Sequence, residues 1–398
     1  MSVTKFLLAG AVGAALFASL PASAADPGIT DSEITIGLFA PLSGPLASFG
    51  TDALYAAKMW YEEINKKGGI NGRKIKVLIE DDKANPNDTV AVVKKFVTVD
   101  NVFLLNGGSS TAAAVAAQEF VTREKVPFAM LNAAGDSAVI PPTRYVFGAF
   151  GGTQRTVGAT IAEFAIRELK GKKIAYLTHP DDFGASNAAA AAAVADRLGA
   201  KIVALEKVSV KMTDVTAPML NIKAADPDIV ICTLYPQVSP LIAQKYAEFG
   251  MTVPLVMAVQ GIPVPAVFAK NVGNDDALKN FYYGSPLNDL TDGPKQQKWI
   301  QLYKSYYPDR TPGAFMTYGL PSAMSITMAL EKAGRNVTRE SFIDAMETLD
   351  FDTGVLAGPI AFAKDRRDGH RASIFIKFDS KNYTLTPGVY LWNGKDGM

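Results

Sequence analysis

Cysteine and net charge are both scarce in this 398-residue chain. Cys232 is the single cysteine and lies inside the apolar run Ile229–Leu234, so the sequence predicts a buried thiol and no disulfide bond. Lysine and arginine total 40 and aspartate and glutamate total 39, which gives a formal net charge of +1. Nucleic acids and anionic membranes attract strongly basic surfaces, so a nearly neutral chain argues against both partners.

Recognisable catalytic and metal-binding motifs are also absent from the sequence. His179 and His370 are the only two histidines, and neither has a second ligand type at zinc spacing. The sequence has no G-x-S-x-G turn, no G-x-x-x-x-G-K-[ST] loop and no G-x-G-x-x-G after a strand. We therefore expect no enzymatic activity, no metal ion and no cofactor, and structural or surface roles for both histidines.

An apolar stretch opens the chain. Lys5 precedes an apolar run from Phe6 to Leu20, and Pro21 and Ala22-Ser23-Ala24 follow it. This order is typical of a secretory signal peptide covering residues 1–24, cleaved after Ala24. No later run is long and apolar enough to span a bilayer. The sequence therefore predicts a soluble protein exported to the periplasm.

Strand-like and helix-like windows alternate along the rest of the chain. Apolar runs suited to strands lie at Ile34–Ala40, Lys74–Glu80, Val102–Leu105, Phe128–Leu131, Lys173–Thr178, Lys201–Val208, Ile229–Leu234 and Leu255–Val259. Helical windows lie at Asp88–Val99, Thr111–Glu124, Thr153–Leu169, Ala185–Leu198, Val215–Ala225 and Ser239–Phe249. This alternation predicts an α/β protein with right-handed crossovers and doubly wound sheets, and the length suits two domains.

The stretch from Ile34 to Asp82 carries the most specific motifs. It contains the turn Pro41-Leu42-Ser43-Gly44-Pro45, the segment INKKGGINGRKI and the acidic run EDD. In this order and spacing they resemble the periplasmic leucine/isoleucine/valine-binding family of ABC transporters. The resemblance implies the type I periplasmic binding protein fold, with two Rossmann-like lobes joined by a three-strand hinge.

The family pattern also implies how the chain is divided. Lobe 1 would comprise residues 26–147 and 285–349, and lobe 2 would comprise residues 148–284 and 350–398. Three crossings of this kind form a hinge that lets the lobes close about a ligand.

Lobe 1 offers several residues beyond the ends of its strands, where helix N-termini attract anions. The resemblance places Ser43, Phe49, Ser109, Ser110 and the segment Asn132-Ala133-Ala134 there. Ser110 is the residue that we expect to hold a ligand carboxylate. Helix capping is the alternative role for these hydroxyl groups, and one serine can cap while its neighbour contacts the ligand.

The resemblance implies that lobe 2 adds Phe183 as an apolar wall and Tyr235 with its ring and hydroxyl. It places Gln260 where amino-acid binders of the family present a glutamate. We expect Asp181 and Asp182 to complement the dipole of the helix that they begin. Tyr318 is a further candidate for the edge of the cleft.

Two departures from the family pattern bear on the ligand. The threonine that helps relatives to bind an amino-acid head group falls on Ala134 or Gly135 here, and the glutamate is replaced by Gln260. A buried ammonium group without a carboxylate partner costs several kcal/mol. These departures favour an aromatic, benzoate- or cinnamate-like acid. Branched-chain or other amino acids stay open as alternatives, as do amides and urea-like compounds.

The sequence therefore predicts a monomeric periplasmic receptor that captures a small carboxylate and presents it to the membrane permease of an ABC importer. The alternative of another class is a ligand-sensing domain that serves a chemoreceptor or a regulator.

Overall fold

Strands and helices alternate in a computed structural model that describes residues 26–44, 46–262, 265–290, 293–310, 312–313, 315–378 and 383–394. The predicted signal peptide lies outside these residues. The strands are β1 (Glu33–Ala40), β2 (Lys74–Asp81), β3 (Leu104–Gly107), β4 (Phe128–Met130), β5 (Val146–Phe147), β6 (Lys173–Thr178), β7 (Lys201–Lys207), β8 (Ile229–Thr233), β9 (Leu255–Ala258), β10 (Phe281–Ser285), β11 (Asp350–Phe351), β12 (Ile360–Ala361), β13 (Ala372–Phe378), β14 (Tyr383–Leu385) and β15 (Tyr390–Leu391). The helices are α1 (Ala47–Lys66), α2 (Pro86–Thr98), α3 (Thr111–Arg123), α4 (Gln154–Arg167), α5 (Asp182–Arg197), α6 (Thr216–Ala224), α7 (Ser239–Glu248), α8 (Pro265–Val272), α9 (Gln297–Tyr306), α10 (Met316–Ala333) and α11 (Arg339–Met346).

Two large sheets organise the described elements, and β11 and β12 form a separate two-stranded sheet. The first has the order β2-β1-β3-β4-β5, and all of its neighbouring strands are parallel. The second has the order β14-β13-β10-β9-β8-β6-β7, with parallel pairing from β10 to β7 and antiparallel pairing at β13 and β14. The predicted α/β class with doubly wound sheets is confirmed.

Each sheet has an apolar core on both of its faces. Successive side chains of a strand point to opposite sides, so one strand contributes to both cores. In β1, Ile36 and Leu38 pack against α1 and α10, whereas Phe39 packs on the opposite face with Phe96 and Phe128. The second sheet likewise separates two cores. Cys232 is buried in one of them, as predicted. None of the helices in the described part of the chain is long and apolar enough to cross a membrane.

The chain passes between the two sheets three times. Residues 147–154 make the first passage, residues 285–287 make the second, and residues 362–372 make the third. Val355, Leu356, Ile360 and Phe362 are buried in the core of lobe 1. The apolar side chains of residues 355–362 thus pack against lobe 1, beyond the division predicted after Leu349. We propose that these residues belong to lobe 1.

Two buried groups with titratable or charged side chains lie at these passages. Arg367 is 2% exposed, stacks over the Phe147 ring and donates to Glu347 Oε1 at 2.6 Å. His370 is fully buried, its backbone N–H donates to Ala149, and both ring nitrogens lack a partner among the described residues. Burial, assisted by the positive charge of Arg366, lowers the pKa of His370 to about 3.

Replacing Gly319 by valine should force α1 and α10 apart. A β-carbon on Gly319 would lie 1.9 Å from the carbonyl oxygen of Ala53. Overpacking of this kind lowers the free energy of unfolding by about 1–3 kcal/mol. Met328→Ala, at an exposed position of the same helix, should change it by less than about 0.5 kcal/mol. Urea denaturation compares the two variants, and equal losses would contradict the close helix contact.

His370→Leu should reduce the acid sensitivity of the fold. The folded protein keeps the ring neutral, whereas the unfolded chain binds a proton below a pKa of about 6.5. Above that pH the ring binds no proton in either state, so its titration does not change the free energy of unfolding. Below that pH the wild type loses up to about 1.4 kcal/mol of its free energy of unfolding per pH unit relative to the variant. Urea midpoints of both proteins, measured at a series of pH values below neutrality, test this. Carboxyl groups titrate in both proteins, so parallel curves would show that His370 is protonated in the folded state.

Candidate functional site

The site lies where the strand order of each sheet reverses. The first sheet reverses between β1 and β3, and the second reverses between β6 and β8. At such points the loops leave toward opposite faces of the sheet and open a crevice at the carboxyl ends of the strands. The two crevices face one another across a cavity of about 670 Å³.

The wall of this cavity combines aromatic and polar side chains from both lobes. Its lining residues are Pro41, Leu46, Phe49, Ala84, Ser109, Ser110, Thr111, Ala112, Val115, Asn132, Ala134, Ser137, Gln154, His179, Asp181, Asp182, Phe183, Val210, Tyr235, Gln237, Gln260, Phe315 and Tyr318.

The N-terminus of α3 forms the polar wall of lobe 1. Ser110 has an extended backbone and its Oγ accepts from the Ala113 N–H at 3.5 Å, so it caps the helix. The first turn of α3 contains no acidic residue. Ser109 Oγ is buried and has no hydrogen-bond partner among the described residues. Since free N–H groups and the helix dipole attract negative charge, this wall suits an anion.

Aromatic rings connect the two lobes across the cavity. Phe49 lies 4.3 Å from Phe315 between ring centroids, and Phe315 lies 5.9 Å from Tyr318. On the other side Phe49 meets Tyr235 edge to face at 6.4 Å, and Tyr235 stacks on Phe183 at 4.8 Å. The Nδ2 group of Asn132 donates to the Phe49 carbonyl at 2.7 Å and ties the first turn of α1 to the segment that follows β4. The arrangement provides two ring-lined walls for an apolar or aromatic ligand.

The lobe 2 wall contains two acidic residues at the start of α5. Asp181 caps α5 by accepting from the Gly184 N–H at 3.1 Å, and Asp182 lies in the first turn of that helix. Asp181 also accepts from the Tyr235 hydroxyl at 3.2 Å. Burial, together with the Asp181 charge, raises the pKa of Tyr235, so this phenol stays protonated and donates. The predicted helix-start role of both acids agrees with this geometry.

Several polar atoms on cavity residues are buried without partners among the described residues. They are Ser109 Oγ, Asn132 Oδ1, Gln154 Oε1, both ring nitrogens of His179, Gln260 Oε1 and the Tyr318 hydroxyl. One of these nitrogens, His179 Nδ1, does lie 3.0 Å from Asp181 Oδ2. Buried polar groups in native proteins are nearly always paired. Their concentration around one cavity, on both lobes, is the pattern expected of a site for a polar ligand.

The charges around the cavity restrict what that ligand can be. Among the described residues that line it, Asp181 and Asp182 are the only charged ones. No group of three or more histidine, cysteine, aspartate or glutamate side chains in the described part of the chain is placed to hold a metal ion. The wall can therefore hold a small organic anion by hydroxyl and peptide donors at α3, with its apolar body between the rings.

Eight of the ten predicted contact residues line the cavity, namely Phe49, Ser109, Ser110, Asn132, Ala134, Phe183, Tyr235 and Gln260. Ser43 does not line it, because its hydroxyl donates to Asp81 Oδ2 at 2.5 Å. Burial opposes ionisation of Asp81, but hydrogen bonds from Ser43, Leu42 and Lys83 outweigh it and lower its pKa. Ala133 is 3% exposed and packs in the core of lobe 1.

Sequence reasoning missed several residues of the wall, among them three with aromatic or polar side chains. Phe315 immediately precedes α10, Gln154 begins α4, and His179 follows β6. The sequence alone predicts a structural or surface role for His179. Its position directly after a strand end was the available signal, whereas nothing in the local sequence of Phe315 indicates its contact with Phe49. Tyr318, which the sequence proposed for the cleft edge, does line the cavity.

Comparison with known proteins bears on the two-lobed architecture. Residues 33–382 match the family described as periplasmic binding protein. The Leu/Ile/Val-binding protein homolog 7 of Brucella abortus (strain 2308) is 26% identical over 381 residues, which cover 93% of each chain.

Two solved structures share the fold at lower identity. A fatty acid ABC transporter substrate-binding protein from Thermomonospora curvata has a TM-score of 0.76 and 21% identity, and the match covers 93% of this chain and 95% of that one. A solute-binding protein of an ABC transporter from R. palustris, solved in complex with 4-hydroxybenzoate, has a TM-score of 0.75 and 18% identity, and covers 90% of this chain and 97% of its own.

Ser110→Ala should weaken both the helix and the anion site. Loss of the cap lowers the free energy of unfolding by about 1 kcal/mol. Loss of a hydrogen bond to a charged group weakens binding of a carboxylate by roughly 1.5–3 kcal/mol. Thr338→Ala removes the capping box of α11, away from the cavity, and is the matched control. It should lower stability similarly without changing binding, as measured by urea denaturation and calorimetry. Unchanged affinity in Ser110→Ala would remove Ser110 from the site.

Proposed function

Because this chain belongs to the periplasmic binding protein family, we propose that its cleft captures a small aromatic carboxylate for an ABC importer. Members of the family are periplasmic solute-binding receptors that work with an ABC permease, and they are not enzymes. The resemblance to leucine/isoleucine/valine-binding proteins inferred from the opening motifs is confirmed. What this chain binds is the part that we propose.

The observation that carries the proposal is the uneven charge of the two helix N-termini at the cavity. The first turn of α3 has no acid, whereas α5 is capped by Asp181 and carries Asp182. An anionic group is therefore stabilised at α3 and repelled at α5. A ligand with one carboxylate would lie with that group in lobe 1 and its uncharged end toward lobe 2.

The aromatic walls support a ring as the body of the ligand. Phe49, Phe315 and Tyr318 line the cavity from lobe 1, and Phe183 and Tyr235 line it from lobe 2. Contact between aromatic rings contributes roughly 0.5–1.5 kcal/mol beyond the burial of apolar area. A cavity of about 670 Å³ also has ample room for a benzoate or a cinnamate.

Gln260 supports the choice of an acid without an ammonium group. Its side-chain oxygen is buried and unpaired among the described residues, and it carries no charge. Asp181 is a poor partner for a protonated amine, because its carboxylate is already bonded to Tyr235 and Gly184. A branched-chain amino acid is the second candidate, favoured by the name of the Brucella relative and by the exposed Asp182.

A thermal-shift screen followed by calorimetry tests the ligand class. Benzoates and cinnamates should raise the melting temperature of the chain lacking residues 1–24, whereas leucine, isoleucine, valine, a fatty acid and simple amides should not. At 100 times the dissociation constant a ligand adds about 2.7 kcal/mol to the stability. Tight binding of valine together with indifference to every aromatic acid would overturn the proposal.

Gln260→Glu should weaken the binding of aromatic acids by roughly tenfold or more, because it places a second negative charge in the cavity. Gln237→Glu makes the same chemical change at an exposed position on the cavity wall. Solvent screens a charge there, so its effect should be clearly smaller. Calorimetric titration of both variants with benzoate compares them. Unaltered binding in Gln260→Glu would show that Gln260 does not face the ligand.

A further inference from the structure

Lobe 2 presents an imidazole, a carboxylate and a phenol to the cavity as one connected cluster. Asp181 Oδ2 accepts from the Tyr235 hydroxyl at 3.2 Å and lies 3.0 Å from His179 Nδ1. Its other oxygen accepts from the Gly184 N–H at 3.1 Å. Asp181 is therefore occupied by the protein and acts on a ligand through its two neighbours.

Asp181 also decides which nitrogen of His179 carries the proton. A carboxylate only accepts hydrogen bonds, so in an imidazole with a single N–H the Nδ1 atom beside it carries that hydrogen, and Nε2 keeps its lone pair. Nε2 is buried and has no partner among the described residues. His179 thus contributes an acceptor that no described protein donor satisfies.

Aromatic contacts hold this acceptor beside the ring-lined wall. The His179 ring meets Tyr235 edge to face, with centroids 5.0 Å apart and planes at 77°. Tyr235 in turn stacks on Phe183. The imidazole is therefore fixed on two sides, by a ring and by a carboxylate, as a specificity group must be if it is to discriminate between similar ligands.

We propose that His179 is a specificity residue that accepts a hydrogen bond from a hydroxyl group on the ring of the bound acid. This rests on the proposed function and narrows the ligand class from aromatic acids in general to hydroxylated aromatic acids. The carboxylate lies at α3 in lobe 1, and the hydroxyl lies at His179 in lobe 2. Asp181 is a positioning residue that sets the tautomer of His179.

The charges of lobe 2 disfavour the other polar groups that such an acid can carry. A second carboxylate would approach Asp181 and Asp182, and like charges in a partly buried site repel one another. An ammonium group would meet the uncharged amide of Gln260, and Asp181 is already bonded to Tyr235 and Gly184. A hydroxyl group is uncharged and donates, so it satisfies the acceptor without either cost.

Calorimetry with matched acids tests the proposal. The ligands are benzoate, its 2-, 3- and 4-hydroxy derivatives, cinnamate and 4-hydroxycinnamate. Wild-type protein should bind at least one hydroxylated acid about tenfold more tightly than the parent acid. His179→Met should reduce that preference to within about twofold, by weakening the hydroxylated acid more than the parent acid. His179→Gln, whose amide reaches the position of Nε2, should restore much of the preference.

The outcomes separate the two proposals. Binding of aromatic acids without any preference for a hydroxyl group would overturn the role of His179 and leave the proposed function standing. The role of His179 would also be overturned if His179→Met keeps the preference for the hydroxylated acid, including the case in which Gln260→Met abolishes that preference. Failure of wild-type protein to bind any aromatic acid would overturn the proposed function itself. Melting temperatures of the variants confirm that each is folded.

Discussion

The reversal of strand order in each sheet is the constraint on which the cavity depends. Between β1 and β3, and again between β6 and β8, consecutive loops leave the sheet on opposite sides and open a crevice. Phe49 and Ser109 reach the cavity from the first crevice, and His179 and Tyr235 reach it from the second. The fold therefore provides two opposed crevices, while the few side chains beyond the strand ends determine what the cavity binds.

The two helix N-termini at the cavity differ in charge, so that one end of the cavity suits an anion and the other does not. At α5, Asp181 and Asp182 complement the dipole from within the protein, so no attraction for a ligand anion is left. At α3, Ser110 caps the helix with an uncharged hydroxyl and the positive potential stays available. A single pair of acids thus gives the cavity a direction without any lysine or arginine among its described lining residues. Such a site distinguishes one anionic end from one neutral end, which a symmetric pair of helix termini would not do.

Much of the fold follows from the spacing of apolar residues, because the period of a buried strand or helix can be recognised from neighbouring residues alone. The sequence predicts β6 at Lys173–Thr178, where the structure has it. It starts α5 at Ala185 instead of Asp182, because the first turn is set by the Asp181 cap and not by apolar residues. Side-chain partners distant in sequence are harder to predict. Asp81 accepts a hydrogen bond from the Ser43 hydroxyl, 38 residues away in the sequence. Phe315 contacts Phe49 only because α10 packs on α1.

The unpaired polar atoms of the cavity connect ligand chemistry with the motion of the lobes. Each buried polar atom without a partner costs about 1–3 kcal/mol, and water relieves that cost when the lobes separate. Ser109 contributes such an atom from lobe 1, and His179 and Gln260 contribute theirs from lobe 2. A ligand that pairs with atoms on both sides favours the closed form over the open one, whereas a ligand that pairs on one side alone shifts the equilibrium less. Contact between Phe49 and Tyr235 adds an aromatic attraction between the lobes, but this attraction is the same for every ligand. For the proposed aromatic acids, discrimination would therefore depend on whether the second polar group is satisfied.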